Sequence, residues 1–435
     1  MSRIKIRNFG PIRDGFVDND GWMEINKVTV FIGNQASGKS TAAKLVSVFS
    51  WLEKNIVRNS ISKDQLNEAV FKNQCYRQEL AEYFLPNTLL KYEGDVCNFE
   101  YEEETHSFKM RINVNKYENY VMPKIQYVSA ARNLLTILYN ISLQNIVDNK
   151  GNIIDMASNI PFMVRELNKE YLKALSELAQ NGFPLPISDT SVYFQNYSTF
   201  IVTKGTRISM SAASSGIQSI TPLLLVSRYL SDEVQKDVLD KVQNIDNNLK
   251  DRIEGELAKE EGNLSEKFKQ LYSFGKEILT KEEDVTLLKE KLKRFIPSSF
   301  VNIVEEPEQN LFPTSQQKVI NSLLEYNNAL ASNKLIITTH SPYIIGYLSL
   351  AIKADELYQK AKKEEVVNQI NEIVPRKSAV SHQDVVIYEL DENDGTIREL
   401  DNYKGIPSSK NYLNRELAEK NELYAQLLDI EDLCQ

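Results

Sequence analysis

Few folds can accommodate the loop at residues 33–40 of this 435-residue chain, which reads Gly-Asn-Gln-Ala-Ser-Gly-Lys-Ser. The loop fits the pattern G-x-x-x-x-G-K-[ST]. A continuous β-branched run at residues 27–32 precedes it, and a helical pattern follows from Ala42. Between a buried strand and a helix, such a loop directs backbone N–H groups and the helix N-terminus at phosphate oxygens. The sequence therefore predicts a phosphate-binding loop in an α/β fold.

The polar side chains of this phosphate loop have expected roles toward ATP. Lys39 is predicted to place a positive charge between the β- and γ-phosphates, and the Ser40 hydroxyl is predicted to be a ligand of Mg²⁺. The backbone of the whole loop would surround the phosphates. The residues predicted to bind nucleotide here are Gly33, Asn34, Gln35, Ala36, Ser37, Gly38, Lys39, Ser40 and Thr41.

Two adjacent carboxylates end a second buried-strand pattern, at residues 300–304. Glu305 is predicted to bind Mg²⁺, and Glu306 is predicted to polarise the water that attacks the γ-phosphate. Adjacent acids after a strand are often only a solvated turn. The phosphate loop upstream favours the catalytic interpretation.

Two further segments fit the same chemistry. His340 directly follows a third strand pattern, at residues 334–339, and is predicted to contact the γ-phosphate and sense its hydrolysis. Ser214, Ser215 and Gly216 open another helical pattern, where helix-terminal N–H groups form an anion site. The alternative for these three residues is an ordinary helix N-cap.

The order of these four motifs resembles the ABC class of P-loop ATPases, and within it the OLD-like and SMC-like groups. Residues 306–313 are similar to the E-P-E-x-x-L-H-P run of the OLD-like group, with Phe312 where His is usual. Residues 127–132 are similar to its Y-I-P-A-E-R segment, with Ala131 where Glu is usual. Within that group the chain resembles anti-phage defence ATPases such as PtuA-type and retron-associated ATPases.

The resemblance implies a homodimer in which two ATP molecules lie between the subunits, with a higher oligomer also open. Ser214 and Gly216 of one subunit would contact the γ-phosphate held by the other, and Ser215 stands where many members have glycine. Arg132 lies near the position of the glutamine that contacts nucleotide in the family, so it is predicted to bind nucleotide. The resemblance also implies control of a separate effector protein, such as a nuclease, in bacterial anti-phage defence.

Two other functions remain open from the sequence. One is a RecF-like or SMC-like ATPase for DNA repair or chromosome maintenance. Because the formal net charge is −9, nucleic acid could bind only at a local basic patch, and the candidates are Lys289, Lys291, Lys293 and Arg294. The other is a scaffold that binds ATP with negligible turnover.

The resemblance and the strand patterns together predict an α/β ABC-ATPase head with a mixed central sheet, an antiparallel β-subdomain and a helical hairpin insertion. The predicted divisions are an ATPase lobe at 1–225, the hairpin at 226–297, the acid and histidine part of the core at 298–350, and C-terminal helices with a β-hairpin at 351–435. Each arm of the helical hairpin would be roughly 40 Å long at 1.5 Å per residue. The alternative is a set of helices packed on the body.

The cysteine content and the apolar runs of the sequence predict the localisation of the protein. Cys75, Cys97 and Cys434 are too few and too scattered for a disulfide framework or a zinc site. No apolar run approaches the roughly 20 residues that cross a bilayer, and the N-terminus does not have the pattern of a signal peptide. The sequence predicts a soluble cytoplasmic protein without a membrane partner.

Overall fold

The computed structural model describes residues 2–136, 146–147, 153–154, 160–187, 189–259, 263–279 and 281–433. The strands in chain order are β1 (Ser2–Phe9), β2 (Gly15–Phe16), β3 (Met23–Ile25), β4 (Val28–Gly33), β5 (Phe84–Glu93), β6 (Cys97–Glu102), β7 (Ser107–Ile112), β8 (Pro123–Val128), β9 (Ile146–Val147), β10 (Ile153–Ile154), β11 (Phe183–Pro184), β12 (Thr190–Gln195), β13 (Ser198–Thr203), β14 (Thr206–Ser209), β15 (Ser299–Glu305), β16 (Lys334–Thr339), β17 (Val385–Leu390), β18 (Thr396–Glu399), β19 (Asn402–Tyr403) and β20 (Ile406–Pro407).

Helices fill most of the remaining described chain, and short 3₁₀ turns occur between them. The α-helices in chain order are α1 (Lys39–Val57), α2 (Glu68–Arg77), α3 (Val114–Tyr117), α4 (Phe162–Leu178), α5 (Ser215–Gln235), α6 (Val238–Lys241), α7 (Asn247–Leu257), α8 (Leu264–Phe274), α9 (Glu282–Leu292), α10 (Pro313–Asn328), α11 (Pro342–Lys360), α12 (Glu364–Ile373) and α13 (Tyr412–Leu433).

A seven-stranded mixed sheet forms the centre, in the order β2-β18-β17-β4-β16-β15-β8. The five strands from β17 to β8 are parallel to their neighbours, whereas β18 is antiparallel to β17. β4 and β15 are buried at every position, as expected for strands that are covered on both faces. The carboxyl ends of the five parallel strands therefore meet at one edge of the sheet, the position at which α/β sheets bind ligands.

Two antiparallel sheets flank the central sheet, in the orders β3-β1-β5-β6-β7 and β11-β12-β13-β14. Strands β5, β6 and β7 form an antiparallel meander within the predicted β-subdomain. Strands β17 and β18 form the predicted C-terminal hairpin around Gly395. The predicted α/β class, with a mixed central sheet and an antiparallel subdomain, is confirmed.

Both faces of the central sheet are packed. Val28, Val30 and Ile32 of β4 join an apolar cluster with α4, α5, α10 and α11. Phe31, between them in the strand, points to the opposite face and joins a second cluster with α1 and the β3-β1-β5-β6-β7 sheet. This alternation along one strand fixes the position of the loop that follows it, because a slip of one residue would exchange the two faces.

The helical insertion differs in shape from the prediction. Helices α7, α8 and α9 have 11 residues each, or about 16 Å at 1.5 Å per residue, so they do not form two arms of 40 Å. Gly275 ends α8 with a φ of +89°. The helices enclose an apolar cluster of their own and contact the body, for example through Arg252 Nη1, which donates to Ser60 Oγ at 2.9 Å. The sequence Glu-Gly-Asn at residues 261–263 predicts the break between the two arms, and Glu261 and Gly262 lie outside the described residues.

Two of the predicted boundaries do not coincide with the ends of elements. The boundary at 225/226 falls inside α5, and the boundary at 350/351 falls inside α11. The C-terminal division is not separate from the core either, because β17 pairs with β4 in the central sheet. Elements that are distant in sequence thus complete the sheet that carries the phosphate loop.

Cys75 and Cys97 are buried free thiols, and Cys434 lies outside the described residues. Burial raises the pKa of both described thiols, which keeps them protonated and unreactive. Of the helices that the structure describes, none combines the length and the apolar character needed to cross a membrane.

Candidate nucleotide site

Four predicted segments follow neighbouring strands at the same edge of the central sheet. The phosphate loop (residues 33–40) follows β4, and His340 follows β16. Residues 305–311, the acid loop, begin at the end of β15, and residues 129–134 follow β8. Because these strands are parallel, the structure brings the phosphate loop and both predicted acids together.

Glycines allow the tight path of the phosphate loop. Gly33 and Gly38 have φ values of +146° and +99°, which favour glycine. A Cβ on Gly33 would lie 2.3 Å from the Leu390 carbonyl oxygen, and one on Gly38 would lie 2.7 Å from Ile12 Cγ1. The loop therefore packs against β17 and against Ile12, between β1 and β2, and leaves no room for side chains at Gly33 and Gly38. Ala36, at the exposed tip, also has a positive φ of +63°.

The polar groups of the phosphate loop fit an anionic ligand. Ser37 Oγ is buried and has no hydrogen-bond partner within the described part of the chain. Lys39 is 8% exposed, and its Nζ donates to the carbonyls of Gly33 at 2.9 Å and Asn34 at 2.5 Å. An unpaired hydroxyl and a buried ammonium held only by carbonyls match the donors that phosphate oxygens accept. Ser40 and Thr41 follow in the first turn of α1.

The charge on Lys39 connects this loop to the acids. Burial is the largest influence and lowers the pKa of Lys39, and the carboxylates of Glu306, Glu308, Glu392 and Glu305 oppose it. Water screens a buried ammonium little from such charges, and these carboxylates follow strands that end at the same edge of the sheet as the lysine. The predicted acids and the lysine therefore face one site.

Glu305 has partners that the sequence did not indicate. Its Oε1 accepts from the Tyr127 hydroxyl at 2.6 Å, and its Oε2 accepts from the Ala130 N–H at 2.9 Å. The residue is only 8% exposed. Each carboxylate oxygen keeps a second lone pair, so oxygen chemistry at Glu305 and Ser40 still fits Mg²⁺. In this arrangement, however, Glu305 also anchors the end of β15 to β8.

Glu306 occupies a strained position beside His340. Its φ is +44°, uncommon for a residue with a side chain, and its N–H donates to the Thr338 carbonyl at 2.8 Å. Glu306 Oε1 lies 3.5 Å from His340 Nδ1. The hydrogen bond from His340 lowers the pKa of Glu306 and outweighs its burial. The carboxylate is therefore held in its ionised, proton-accepting form.

Glu308 is a site residue that the sequence analysis did not single out. It is 6% exposed, and its Oε1 accepts from the Thr339 hydroxyl at 2.6 Å and from the His340 N–H at 3.0 Å. That oxygen also lies 3.7 Å from His340 Nδ1. The hydrogen bond with Glu306 raises the pKa of His340, and the charge of Glu308 adds to the effect. Its position as the second acid of the Glu-Pro-Glu sequence at residues 306–308 could have indicated Glu308 as a site residue.

The structure gives no support to the predicted nucleotide contact at Arg132, because the side chain has other partners. Arg132 is completely buried, and its guanidinium donates to backbone carbonyls. Nη1 reaches Glu305 at 2.6 Å and Ser129 at 3.3 Å, Nη2 reaches Glu306 at 2.7 Å, and Nε reaches Ser219 at 3.1 Å. A guanidinium engaged in this way is not free to bind phosphate.

The segment at residues 214–216, the signature segment, starts α5. Ser214 is the N-cap, and its hydroxyl accepts from the Ile217 N–H at 3.5 Å. Ser214 and Ser215 are at least partly exposed, whereas Gly216 is buried. A Cβ on Gly216 would lie 2.7 Å from the Asn310 carbonyl oxygen. The segment therefore packs on the acid loop of its own subunit, while contact with a second subunit stays a prediction.

Glu392 and Tyr412 are further neighbours of the phosphate loop. Asn34 Nδ2 donates to Glu392 Oε1 at 3.0 Å, and the Tyr412 hydroxyl donates to the same oxygen at 2.7 Å. These contacts tie the exposed tip of the loop to the start of α13. Neither residue belongs to a recognisable motif, so no sequence pattern pointed to them.

A family comparison bears on this site. Residues 285–345 match the family model of an AAA ATPase domain. The matched stretch contains β15, the acid loop, β16 and His340, but not the phosphate loop, and it covers a small part of the chain. An AAA ATPase domain agrees with a nucleotide as the ligand of this edge. No curated protein sequence matches the chain significantly.

The chain also overlaps with solved structures at low similarity. The SMC head domain from Thermotoga maritima is 10% identical, with 92% of this chain and 98% of that chain covered, at a TM-score of 0.34. An Smc head domain with an extended coiled coil, bound to the C-terminal domain of ScpA derived from Pyrococcus furiosus, is 7% identical, with 98% and 100% covered, at a TM-score of 0.36. These TM-scores are too low to support a conclusion about function.

Proposed function

We propose that this protein binds ATP at the carboxyl edge of its central sheet and hydrolyses it, and that it works as a nucleotide-switched dimer. The observation that carries the proposal is that the phosphate loop, the acid loop and His340 follow three neighbouring parallel strands, β4, β15 and β16, at one edge of the sheet. The influence of Glu306 and Glu308 on the pKa of Lys39 agrees with this arrangement. The unpaired Ser37 hydroxyl in the phosphate loop supports a phosphate ligand.

The chain's own residues suggest how the reaction proceeds. Lys39 leaves the Gly33 and Asn34 carbonyls and donates to the β- and γ-phosphates. Glu306, ionised and turned into the site by its unusual backbone, accepts a proton from the attacking water. The hydrogen bond with Glu306 and the charge of Glu308 raise the pKa of His340, and in its protonated form His340 presents a positive charge to the γ-phosphate. In the absence of ATP, the carboxylates of Glu306 and Glu308 compensate this charge.

Mg²⁺ fits the oxygen donors at this edge. When bound, it neutralises charge on the β- and γ-phosphates, and Ser40 and Glu305 are the residues that would hold it. Glu305 can take part through its second lone pairs while it keeps its bonds to Tyr127 and Ala130.

The dimer and its output extend the proposal. The accessible Ser214 and Ser215 at the start of α5 leave helix-terminal N–H groups open to a phosphate on a second subunit. Isologous pairing would then bury two ATP molecules. Following the sequence resemblance, we extend this to a cytoplasmic ATPase that controls a separate effector, such as a nuclease, in bacterial anti-phage defence.

A direct role on DNA has weaker support. Of the basic cluster that the sequence offered, Lys289 Nζ lies 2.6 Å from Asp237, and Lys291 and Arg294 lie 2.8 Å and 3.0 Å from Glu118. Charges paired in this way release few counterions from a phosphate backbone. A strong salt dependence of DNA affinity would reverse this ranking.

Turnover by the purified protein tests the proposal. Glu306→Gln should lower kcat about 100-fold or more, because the general base is lost, while ATP affinity is kept. Glu325→Gln is the matched control, since Glu325 pairs with Lys377 away from the site. Equal turnover in the wild type and Glu306→Gln would contradict the assignment. ATP binding without any turnover in the wild type would favour the scaffold alternative.

A further inference from the structure

Arg132 joins three segments that are far apart in sequence. Its side chain lies in the short 3₁₀ turn after β8 and donates to the carbonyls of Glu305 and Glu306 in the acid loop. The same side chain donates to the Ser219 carbonyl in the second turn of α5. A planar fork with several N–H donors can hold such separate acceptors at once, which lysine cannot do.

Arg132 carries its positive charge in a buried position. A guanidinium is not deprotonated in proteins, and that of Arg132 is completely buried against the backbone of Glu305 and Glu306. The residue is thus a cation at neutral pH, compensated by the acids whose backbone it binds. A buried charge of this kind is costly when its partners move away, so the guanidinium resists any separation of the three segments.

Two other contacts connect α5 to the acid loop. Ser219 Oγ donates to Gln309 Oε1 at 3.2 Å. Gly216 lies so close to Asn310 that a Cβ would be 2.7 Å from the Asn310 carbonyl oxygen. The start of α5 and the acid loop therefore form one packed unit, with the signature segment at one end and Glu306 at the other.

Glu306 needs such support because its backbone is strained. A non-glycine residue with a φ of +44° keeps this conformation only where its surroundings fix it. The Thr338 carbonyl fixes its N–H, and Arg132 Nη2 fixes its carbonyl. The direction of the Glu306 carboxylate thus depends on Arg132.

We propose that Arg132 is a positioning residue that sets the orientation of Glu306 and couples it to the signature segment of the same subunit. This inference rests on the proposed function. When a partner's nucleotide pulls on residues 214–216, the packed unit transmits the displacement to Glu306. The two nucleotide sites of a dimer would then influence each other through two arginines.

The test uses the full-length Arg132→Lys protein, with Arg228→Lys as the matched control, because Arg228 lies on α5 and binds Asp232 outside the site. We expect kcat to fall about 100-fold, the effect of a displacement of about 1 Å in a catalytic group. The affinity for a non-hydrolysable ATP analogue should stay within about threefold. A parallel loss of affinity and turnover would show that Arg132 contacts nucleotide and would overturn the proposal.

Hydrogen exchange provides a readout that needs no turnover. In Arg132→Lys, amides of the acid loop and of the first turns of α5 should exchange faster together, while those of α1 keep their wild-type rates. Unchanged exchange at the acid loop would refute the coupling even if turnover fell. If the wild type hydrolyses no ATP, the proposed function fails while the exchange result still decides the role of Arg132.

A milder variant guards against loss of folding. Ser219→Ala removes only the hydroxyl that binds Gln309, and it should change kcat and exchange in the same direction by about threefold. If Arg132→Lys does not fold, wild-type behaviour of Ser219→Ala in both measurements rejects the coupled unit.

Discussion

The phosphate loop and the acid loop lie at the same edge, yet they are held in different ways. In the phosphate loop, Lys39 binds the carbonyls of Gly33 and Asn34, six and five residues away. In the acid loop, Glu305 binds Tyr127 and Ala130, 178 and 175 residues away, and Arg132 binds the backbone of both acids. The contacts of Lys39 are thus local, whereas those of Glu305 and Arg132 connect distant parts of the chain.

This difference suggests that the phosphate loop serves mainly to bind ATP and the acid loop mainly to hydrolyse it. A loop that carries its own donors can bind phosphate as soon as its strand and helix are formed. An acid loop held by distant partners has its geometry set by elements that can also move, such as α5. We therefore expect changes in the phosphate loop to affect binding and changes around the acid loop to affect turnover.

The largest effect should come from Lys39→Ala, which removes the only positively charged side chain in the phosphate-loop sequence. ATP affinity should fall on the order of 100-fold or more, since charge-assisted contacts to phosphate are lost. Isothermal titration calorimetry with a non-hydrolysable analogue measures this. Lys44→Ala, on the same helix but paired with Glu79, should bind normally. Unchanged ATP affinity in Lys39→Ala would contradict the role in binding that is given to the phosphate loop.

A smaller effect, on turnover and its pH dependence, is expected for Glu308→Gln. Removing this charge should lower the pKa of His340 and reduce kcat about 10-fold with unchanged ATP affinity. NMR titration of the histidine side chains reports the pKa directly, and His106 and His382 serve as internal controls. An unshifted His340 titration would count against the role given to Glu308.

The sign of the linked stability follows from the raised pKa of His340. The pairing of His340⁺ with Glu306 and Glu308 stabilises the fold fully below the ordinary histidine pKa of 6.5. This contribution is lost as pH rises through the higher value in the folded protein. Stability measured across that window should vary less in Glu308→Gln than in the wild type.

The effect of Gly216→Ala should be on stability, and it tests the packing of the signature segment on the acid loop. The added methyl group meets the Asn310 carbonyl and should lower the free energy of unfolding by about 1–3 kcal/mol. Gly255→Ala is the matched control, because nothing lies within 4 Å of its Cβ position, and it should be neutral or stabilising by up to about 1 kcal/mol. Denaturant unfolding compares the two, and equal values would show that α5 does not press on the acid loop.

The features that could be predicted from the sequence belong mainly to the phosphate loop and the strands, and those that could not belong to the acid loop. The phosphate loop, the strands β4, β15 and β16, and the position of His340 could be predicted because each depends on neighbouring residues and on burial. The partners of Glu305 and the contacts of Arg132 could not. Every residue has a backbone carbonyl that can accept a hydrogen bond, so the residue type does not indicate which carbonyl is used. The contacts of Arg132 with Glu305, Glu306 and Ser219 could therefore not be predicted from the sequence.

The helical insertion shows a related limit. Its apolar spacing predicted helices, but the same spacing suits long arms and short helices around a core. Gly275 and the N-cap Asp246, whose carboxylate accepts from the Leu249 N–H at 2.9 Å, divide the segment into short helices. Periodicity defines an apolar face and leaves open what that face packs against.

The most direct measurement is an experimental structure of the Glu306→Gln variant with ATP and Mg²⁺. A single γ-phosphate should lie within hydrogen-bond distance of Lys39 Nζ, and the substituted side chain at position 306 should face the water in line with that phosphate. A triphosphate bound by the lysine but remote from position 306, or bound elsewhere on the molecule, would contradict the shared site.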